Sequence, residues 1–265
     1  MLSPLTGSAA ITGAAKGIGR GAALAFVQTG CQKLLLGNVD TAGLEATKDL
    51  LLKAAVPGME LDVDTTYVDI SDETSVEAFV QRCVARFGRL DYALNIAGIC
   101  PARTPVVDLD VATYDRVVDV NLYGTFPCHR AQIRQMLQQA PNSTGTRGSI
   151  VSTSSMAGLN ASPGASPYCS TKFGIIGLVK TDAIDCGPQG IRVNAVCPGF
   201  TDTPALHAIS TADQRVALSK MIPLQRLGEA EDVGRTFAFL CSEEAGYVSG
   251  ASYLCDGGAM VFRRG

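Results

Sequence analysis

Strand-like and helix-like stretches alternate along nearly the whole of this chain, and that alternation narrows the possible folds more than any other feature of the sequence. A short apolar strand, Ala9 to Thr12, runs into Gly13-Ala14-Ala15-Lys16-Gly17-Ile18-Gly19, and helical periodicity follows from Arg20 to Thr29. Lys33 to Asn38 reads as a second strand and about Thr41 to Ala55 as a helix. Thr65 to Ile70 reads as a third strand, followed by an amphipathic helix, Ser71 to Phe87, with Val76, Phe79, Val80, Cys83, Val84 and Phe87 at helical spacing. Leu90 to Gly98 is the fourth strand, and after a proline-containing loop a long helix spans about Val111 to Gln139. Gly148 to Ser155, Ile191 to Cys197 and Ala251 to Cys255 complete the strands, with helices at Tyr168 to Cys186 and Glu231 to Cys241 between them. Thr201 to Arg226 lacks sustained periodicity and suits a substrate lid. This pattern predicts an α/β fold, a Rossmann-like doubly wound sheet of about seven parallel strands, with residues 1–265 as one domain.

Composition excludes several function classes. A formal charge of −3 leaves no basic footprint for nucleic acid, and Arg263-Arg264 is too short to count as one. Met1 to Thr6 lacks the basic flank of a signal peptide, and no uninterrupted apolar run approaches the ~20 residues of a membrane span, so a soluble, cytoplasmic protein is expected. Nine cysteines, with no C-x-x-C pair, read as reduced thiols filling apolar space. His129 and His207 are the only histidines, and no metal site is expected.

Chemistry is carried first by Tyr168-Cys169-Ser170-Thr171-Lys172. Residues four apart share a helix face, so this tyrosine and lysine can touch one small molecule. A phenol with a pKa near 10 needs a drop of about three units to act near neutrality, or ~4 kcal/mol, and a cation ~4 Å away supplies about that at an effective dielectric of about 20. Alone, such a pair is usually an ordinary surface contact. Ser155, thirteen residues upstream at the end of a buried strand, adds a hydroxyl at the same sheet edge.

Other positions suggest a nucleotide. The glycine turn between strand and helix lets backbone approach a phosphate, which the helix N-terminus favours electrostatically. Nineteen residues past Gly19, where an acid would hold the adenine ribose of NAD, stands Asn38. Lys16 is either an attractor for a 2′-phosphate or a solvated turn residue. Asp69 is a candidate for the adenine amino group or for capping the next helix. Asn95 ends the fourth strand before a small-residue turn. Asn121 falls in an apolar stretch, and a buried asparagine without partners costs ~1–3 kcal/mol, so it has a structural or a catalytic partner; spacing alone favours structure.

In order and spacing, these motifs resemble the short-chain dehydrogenase/reductase family: Thr12-Gly13-x-x-x-Gly17-x-Gly19, Asn95-Ile96-Ala97-Gly98, Asn121, Ser155, Tyr168-x-x-x-Lys172, Pro198-Gly199 with Thr203, and Asp256-Gly257-Gly258. The resemblance covers nearly the whole chain. It implies that Tyr168 is the general acid or base, that Ser155 holds the substrate oxygen, and that Lys172 lowers the Tyr168 pKa and binds the nicotinamide ribose. Asn121 would hold a water on a proton relay to Lys172, reversing the structural preference. The implied cofactor contacts are Thr12, Gly13, Lys16, Gly17, Ile18, Gly19, Asn38, Asp69, Ile70, Asn95, Ala97, Gly98, Tyr168, Lys172, Pro198, Gly199, Thr201 and Thr203. Two departures stand out: Ile96 replaces the family's second asparagine, and Asn38 replaces the aspartate of NAD-dependent members. Without that charge both NAD(H) and NADP(H) should work, with NADP(H) modestly favoured. A Tyr to Lys spacing of four, not seven, argues against the enoyl-reductase branch and for a ketone and secondary alcohol.

Met156, Leu159, Phe200, Leu206, Met221 and Ile222 fall in loops expected to line the mouth, so an apolar, medium-sized substrate is favoured, with Ser155, Met156, Phe200 and Leu206 touching it. Arg103 and His207 could orient a polar group of the substrate or be solvated loop residues, the second being favoured. The rival reading is an isomerase, a cyclase or a cofactor-binding module on the same scaffold without net redox turnover. The helix from Tyr168 carries Phe173, Ile175, Ile176, Leu178, Val179 and Ile184, more apolar surface than one buried face needs, which predicts a homotetramer or else a homodimer.

Overall fold

In the computed structural model, which describes residues 2–56 and 58–261, seven strands form one parallel sheet in the order β3-β2-β1-β4-β5-β6-β7. The strands are β1 (Ser8–Thr12), β2 (Lys33–Asn38), β3 (Asp62–Tyr67), β4 (Tyr92–Asn95), β5 (Gly148–Thr153), β6 (Ile191–Pro198) and β7 (Ser252–Cys255). The helices are α1 (Gly17–Gln28), α2 (Thr41–Ala54), α3 (Glu73–Phe87), α4 (Val111–Val118), α5 (Thr125–Leu137), α6 (Ser166–Cys186), α7 (Pro204–Ala208), α8 (Ala212–Met221) and α9 (Ala230–Cys241). The Arg263-Arg264 pair lies outside the described residues.

A parallel sheet is covered on both faces, so its central strands are buried throughout. Every residue of β1, β5 and β6 is buried. The period of two sorts their side chains into two cores. Ala9, Ile11, Leu34, Leu36 and Leu94 pack with Phe26 of α1 and Phe237 of α9. Ala10, Leu35, Ala93 and Ile150 face the other way, against Phe79 of α3, Met136 of α5 and Val179 of α6. The order reverses at β1, which pairs with β2 on one side and β4 on the other, and this opens a crevice at the strands' C-terminal ends.

Four boundaries differ from the expectation. The third strand is Asp62–Tyr67, not Thr65 to Ile70. It is an edge strand, whose Asp62 and Asp64 are paired with Arg86 and Arg82 of α3, so its polar start hid it. Val68 and Ile70 are buried, but in the turn that follows. The long helix is interrupted: Asp119–Tyr123 forms a single π turn between α4 and α5, which turns Asn121 inward. The aperiodic stretch contains α7 and α8. Thr211 and Gln214 form a reciprocal capping box at the start of α8, a signal that periodicity does not register. Finally, α6 buries Ile175, Ile176 and Val179 in its own core and leaves Phe173 and Ile184 exposed, so it carries less surplus apolar surface than its sequence suggested.

Candidate active site

The crevice begins with Thr12, whose Oγ1 accepts the Ile96 and Ala97 N–H groups at 3.1 and 3.4 Å. Gly13 adopts a φ of 74°, and a Cβ there would stand 2.6 Å from Ala97 N, so only glycine lets the turns after β1 and β4 touch. A Cβ on Gly19 would overlap the Gly13 carbonyl. Lys16, exposed and extended, is the N-cap of α1, and its side chain makes no cap bond. The N–H groups around Gly17, Ile18 and Gly19 therefore face outward from a helix dipole with no side-chain acceptor capping them. This is the donor set a pyrophosphate requires. Thr203 stands across the turn, its Cβ 3.5 Å from where a Gly17 Cβ would be.

The adenine end is more closed than the sequence implied. Asn38 Oδ1 accepts the Asp40 N–H at 2.9 Å, and the Asn38 carbonyl accepts the Val68 N–H at 3.1 Å, which draws Asp69 and buried Ile70 alongside. Asp69 accepts from the Ser71 N–H and hydroxyl at 3.0 and 2.6 Å; the cap of α3 is Asp72, so the capping alternative for Asp69 falls.

At the reacting end, Lys172 is 3% exposed and donates to the Thr153 carbonyl at 2.8 Å. Ser154 Oγ donates to the Lys172 carbonyl, locking α6 to the end of β5. Asn121 Oδ1 accepts the Ile99 N–H and its Nδ2 donates to the Ile99 carbonyl, both at 2.8 Å, with a longer contact of 3.4 Å to Thr171 Oγ1. Asn121 is thus a clamp on the loop after β4, as spacing alone suggested. It still faces the chemistry: a Cβ on Gly98 would lie 3.0 Å from Asn121 Oδ1 and 3.8 Å from Lys172 Nζ. Ser155, 9% exposed, starts a short turn and accepts the Ala157 N–H at 3.0 Å.

Burial dominates the electrostatics of Tyr168. Although part of the residue is open to solvent, burial of the phenol raises its pKa well above the ordinary 10.0, the Cys100 and Cys169 thiols push the same way, and a hydrogen bond from Ser155 offsets this only in part. Lys172 does not reverse the shift. Its Nζ lies 5.5 Å from the Tyr168 ring centroid, and burial brings its own pKa down to about 8. In this arrangement Tyr168 keeps its proton at neutral pH.

Pro198 ends β6, and the Gly199 N–H donates to the Cys255 carbonyl at 2.9 Å, tying this turn to β7. Thr201 Oγ1 donates to the Gly199 carbonyl at 3.2 Å. The Thr203 hydroxyl caps α7, accepting the Leu206 N–H at 3.4 Å and donating to the Thr201 carbonyl at 3.2 Å. Met156, Phe200 and Leu206 are part-buried around this mouth, Leu159 and Met221 are exposed, and Ile222 is withdrawn beneath Gly257. Ile222 thus drops out of the expected lining. His207 lies on α7 and bonds Asp202 at 2.5 Å; Arg103 is exposed in a loop that Thr104 ties to Gly164 at 2.9 Å. A cavity of about 250 Å³ lies beyond Phe200, lined by Leu224, Arg226, Val233, Cys255 and Gly257. None of Asn121, Ser155, Tyr168 and Lys172 lines it.

The Thr153 carbonyl, Thr171 and the Cys100 thiol were not anticipated. Thr153 had a signal in the hydroxyl-rich run Ser152 to Ser155; Cys100 had none.

Fold and crevice define a nicotinamide-dependent oxidoreductase. A family model described as enoyl-(acyl carrier protein) reductase matches residues 13–260. A 3-oxoacyl-[acyl-carrier-protein] reductase of Thermotoga maritima is 36% identical, over 95% of this chain and 96% of that protein. The crystal structure of a levodione reductase superposes with a TM-score of 0.89 at 32% identity, covering 97% of this chain and 98% of that one. A 3-ketoacyl-(acyl-carrier-protein) reductase from Brucella melitensis, crystallised with NADH, gives 0.85 at 28% identity, over 96% and 98%. This chain belongs to the short-chain dehydrogenase/reductase family.

Proposed function

We propose that this protein interconverts a ketone and a secondary alcohol on an apolar, medium-sized substrate. The observation that carries this reading is the gathering of Ser155, Tyr168, Lys172 and Asn121 at the sheet edge beside the glycine turn, with the Tyr168 pKa raised. Bound nicotinamide supplies the hydride. Tyr168, protonated, gives its proton to the carbonyl oxygen, which the Ser155 hydroxyl orients. Lys172 holds the nicotinamide ribose, and Asn121, with one Oδ1 lone pair beyond its Ile99 bond, supports a water that returns the proton through Lys172. The remaining cofactor contacts are those of the glycine turn, Asn38, Asp69, Ile70, Asn95, Ala97, Gly98, Pro198, Gly199, Thr201 and Thr203. Residues 201–226, with α7 and α8, close over the substrate as a lid on a single domain. Two relatives are reductases of a 3-oxoacyl group and of levodione, which supports a ketone here; the Tyr to Lys spacing of four supports it against the enoyl chemistry in the family model's description.

Nicotinamide absorbance followed over a panel of ketones and alcohols tests this. Steady product formation without cofactor oxidation or reduction would sink it and favour the isomerase, cyclase or binding-module reading. In the same assays both cofactors are expected to work, with NADP(H) ahead by up to about fivefold, since an exposed Lys16-phosphate pair contributes only ~0.2–1 kcal/mol. Asn38→Asp should shift preference to NAD(H), and Lys16→Ala should weaken NADP(H) more than NAD(H). NAD(H) binding tenfold tighter to the unmodified protein would reverse the ranking.

Among the described residues no helix is long and apolar enough to cross a membrane, and we place the protein in the cytoplasm. Exposed Phe173 and Ile184 on α6, with Tyr123 and Phe126 on the segment beside it, support pairing with a second copy, as a tetramer or else a dimer. Light scattering at micromolar concentration should report a multiple of 27.6 kDa; a sharp monomer mass would contradict the assembly.

A further inference from the structure

A buried line of side chains reaches the crevice from behind, and the proposed chemistry leaves it unused. Asp182 Oδ2 on α6 lies 2.6 Å from His129 Nδ1 on α5, and His129 Nε2 lies 2.6 Å from Ser152 Oγ on β5. A carboxylate only accepts, so the shared proton sits on Nδ1; a neutral imidazole then accepts at Nε2, and Ser152 must donate to it. Ser152 Oγ in turn accepts from Asn95 Nδ2 at 3.3 Å. The other Nδ2 proton goes to Gln132 Oε1 at 3.0 Å, and Gln132 Nε2 returns a bond to Asn95 Oδ1 at 2.8 Å. Donation thus runs one way along the line, from Asn95 through Ser152 and His129 to Asp182. A doubly protonated imidazole would leave the Ser152 proton without an acceptor in it.

The order Asp-His-Ser is that of a hydrolytic triad. Here it is not one: His129 and Ser152 are each 1% exposed, and Ser152 Oγ is held between His129 and Asn95. No substrate carbonyl can reach it.

We infer that His129, oriented by Asp182, is a positioning residue that fixes Ser152 and Asn95 and so sets the tips of β4 and β5 on which the site is built. The inference rests on the cofactor crevice assigned above. Asn95 and Ser152 are partners in the β4–β5 register. Immediately after Asn95 comes the turn that touches Gly13 and Asn121; immediately after Ser152 comes the Thr153 carbonyl that receives Lys172. One imidazole thus governs the cofactor side and the reacting side together. Polar residues at i and i+3 of a helix otherwise packed on the sheet, His129 and Gln132, are the sequence trace of this device.

Two near-isosteric variants separate positioning from bulk stability. A glutamine amide reaches the place of Nε2 and can keep the Ser152 bond while giving up Asp182; an asparagine amide reaches the place of Nδ1 and does the reverse. Titrating purified full-length protein with NADPH and NADH, with thermal midpoints measured in parallel, is the test. His129→Gln is expected to bind within about threefold of the unmodified chain and His129→Asn about tenfold or more weakly, because only the glutamine keeps its hold on Ser152; the thermal midpoints read separately what each severed bond costs the fold. Equal binding by the two variants, tight or weak, would overturn the inference. Should neither fold, Ser152→Ala removes a single oxygen, and unchanged nucleotide binding in that variant would overturn it equally. An unmodified chain that bound neither nucleotide would sink the cofactor assignment and this inference with it, whereas normal binding by the unmodified chain and all variants would sink this inference alone.

Discussion

Replacing Tyr168 with phenylalanine is expected to lower kcat by about 10²–10⁴-fold while leaving nicotinamide binding nearly intact. The substitution removes one oxygen and keeps the ring that lies 5.5 Å from Lys172 Nζ, so the packing between α6 and the end of β5 survives. What is lost is the proton that burial holds on the phenol. Lys172→Ala should be worse in kind, because it harms binding and turnover together: the ammonium is 3% exposed, braces the Thr153 carbonyl and lies beside Gly98. Steady-state kinetics with the best ketone of the panel, paired with cofactor titration, reads both effects. Should Tyr168→Phe retain more than about a tenth of the unmodified kcat, the hydroxyl is not the proton donor.

What could be read in advance depended on whether a local rule decides the residue. Gly13 and Gly19 were legible because a positive φ and backbone contact admit no other side chain, and those demands recur wherever a strand turns into a phosphate-binding helix. The two cores were legible too, since the period of two in β1 and β2 sorts Ala9 and Leu34 from Ala10 and Leu35. The edge strand was not: its aspartates are tolerated only because Arg82 and Arg86 arrive from a helix about twenty residues later, a fact of tertiary structure. The π turn at Asn121 has no periodic signature, since a single widened turn shifts the phase of a helix without altering its composition. The Tyr168–Lys172 electrostatics were not legible for a related reason. Spacing put the two on one helix face, but the sign of the phenol's shift is set by desolvation, and burial is a property of the assembled crevice.

Burial also governs the response of the whole fold to alkali, and here the expected loss is large. Cys31, Cys83, Cys128 and Cys241 are buried apolar thiols whose pKa rises from an ordinary 9.0 to about 12, burial being the leading cause in each. A raised acid pKa in the folded state means that the unfolded chain releases its protons first, so the stability these thiols contribute is complete below pH 9 and declines as pH climbs toward 12. By pH 10 each thiol has begun to weigh against the fold, because the unfolded chain has released the proton that the folded chain still holds. Lys172 acts in the opposite sense: its pKa falls from 10.5 to about 8, so the folded chain gives up this proton first and offsets part of the loss over the same interval. Four thiols oppose one ammonium, and the buried phenols of Tyr92 and Tyr168, whose pKa values burial also raises, add to the loss. Urea denaturation under reducing conditions, compared at pH 7.5 and pH 10, should therefore show a clearly lower midpoint at pH 10 with an unchanged slope. A midpoint that stays level or rises would mean that the thiols titrate in the fold as freely as they do in water, and that they are not sealed within the two cores.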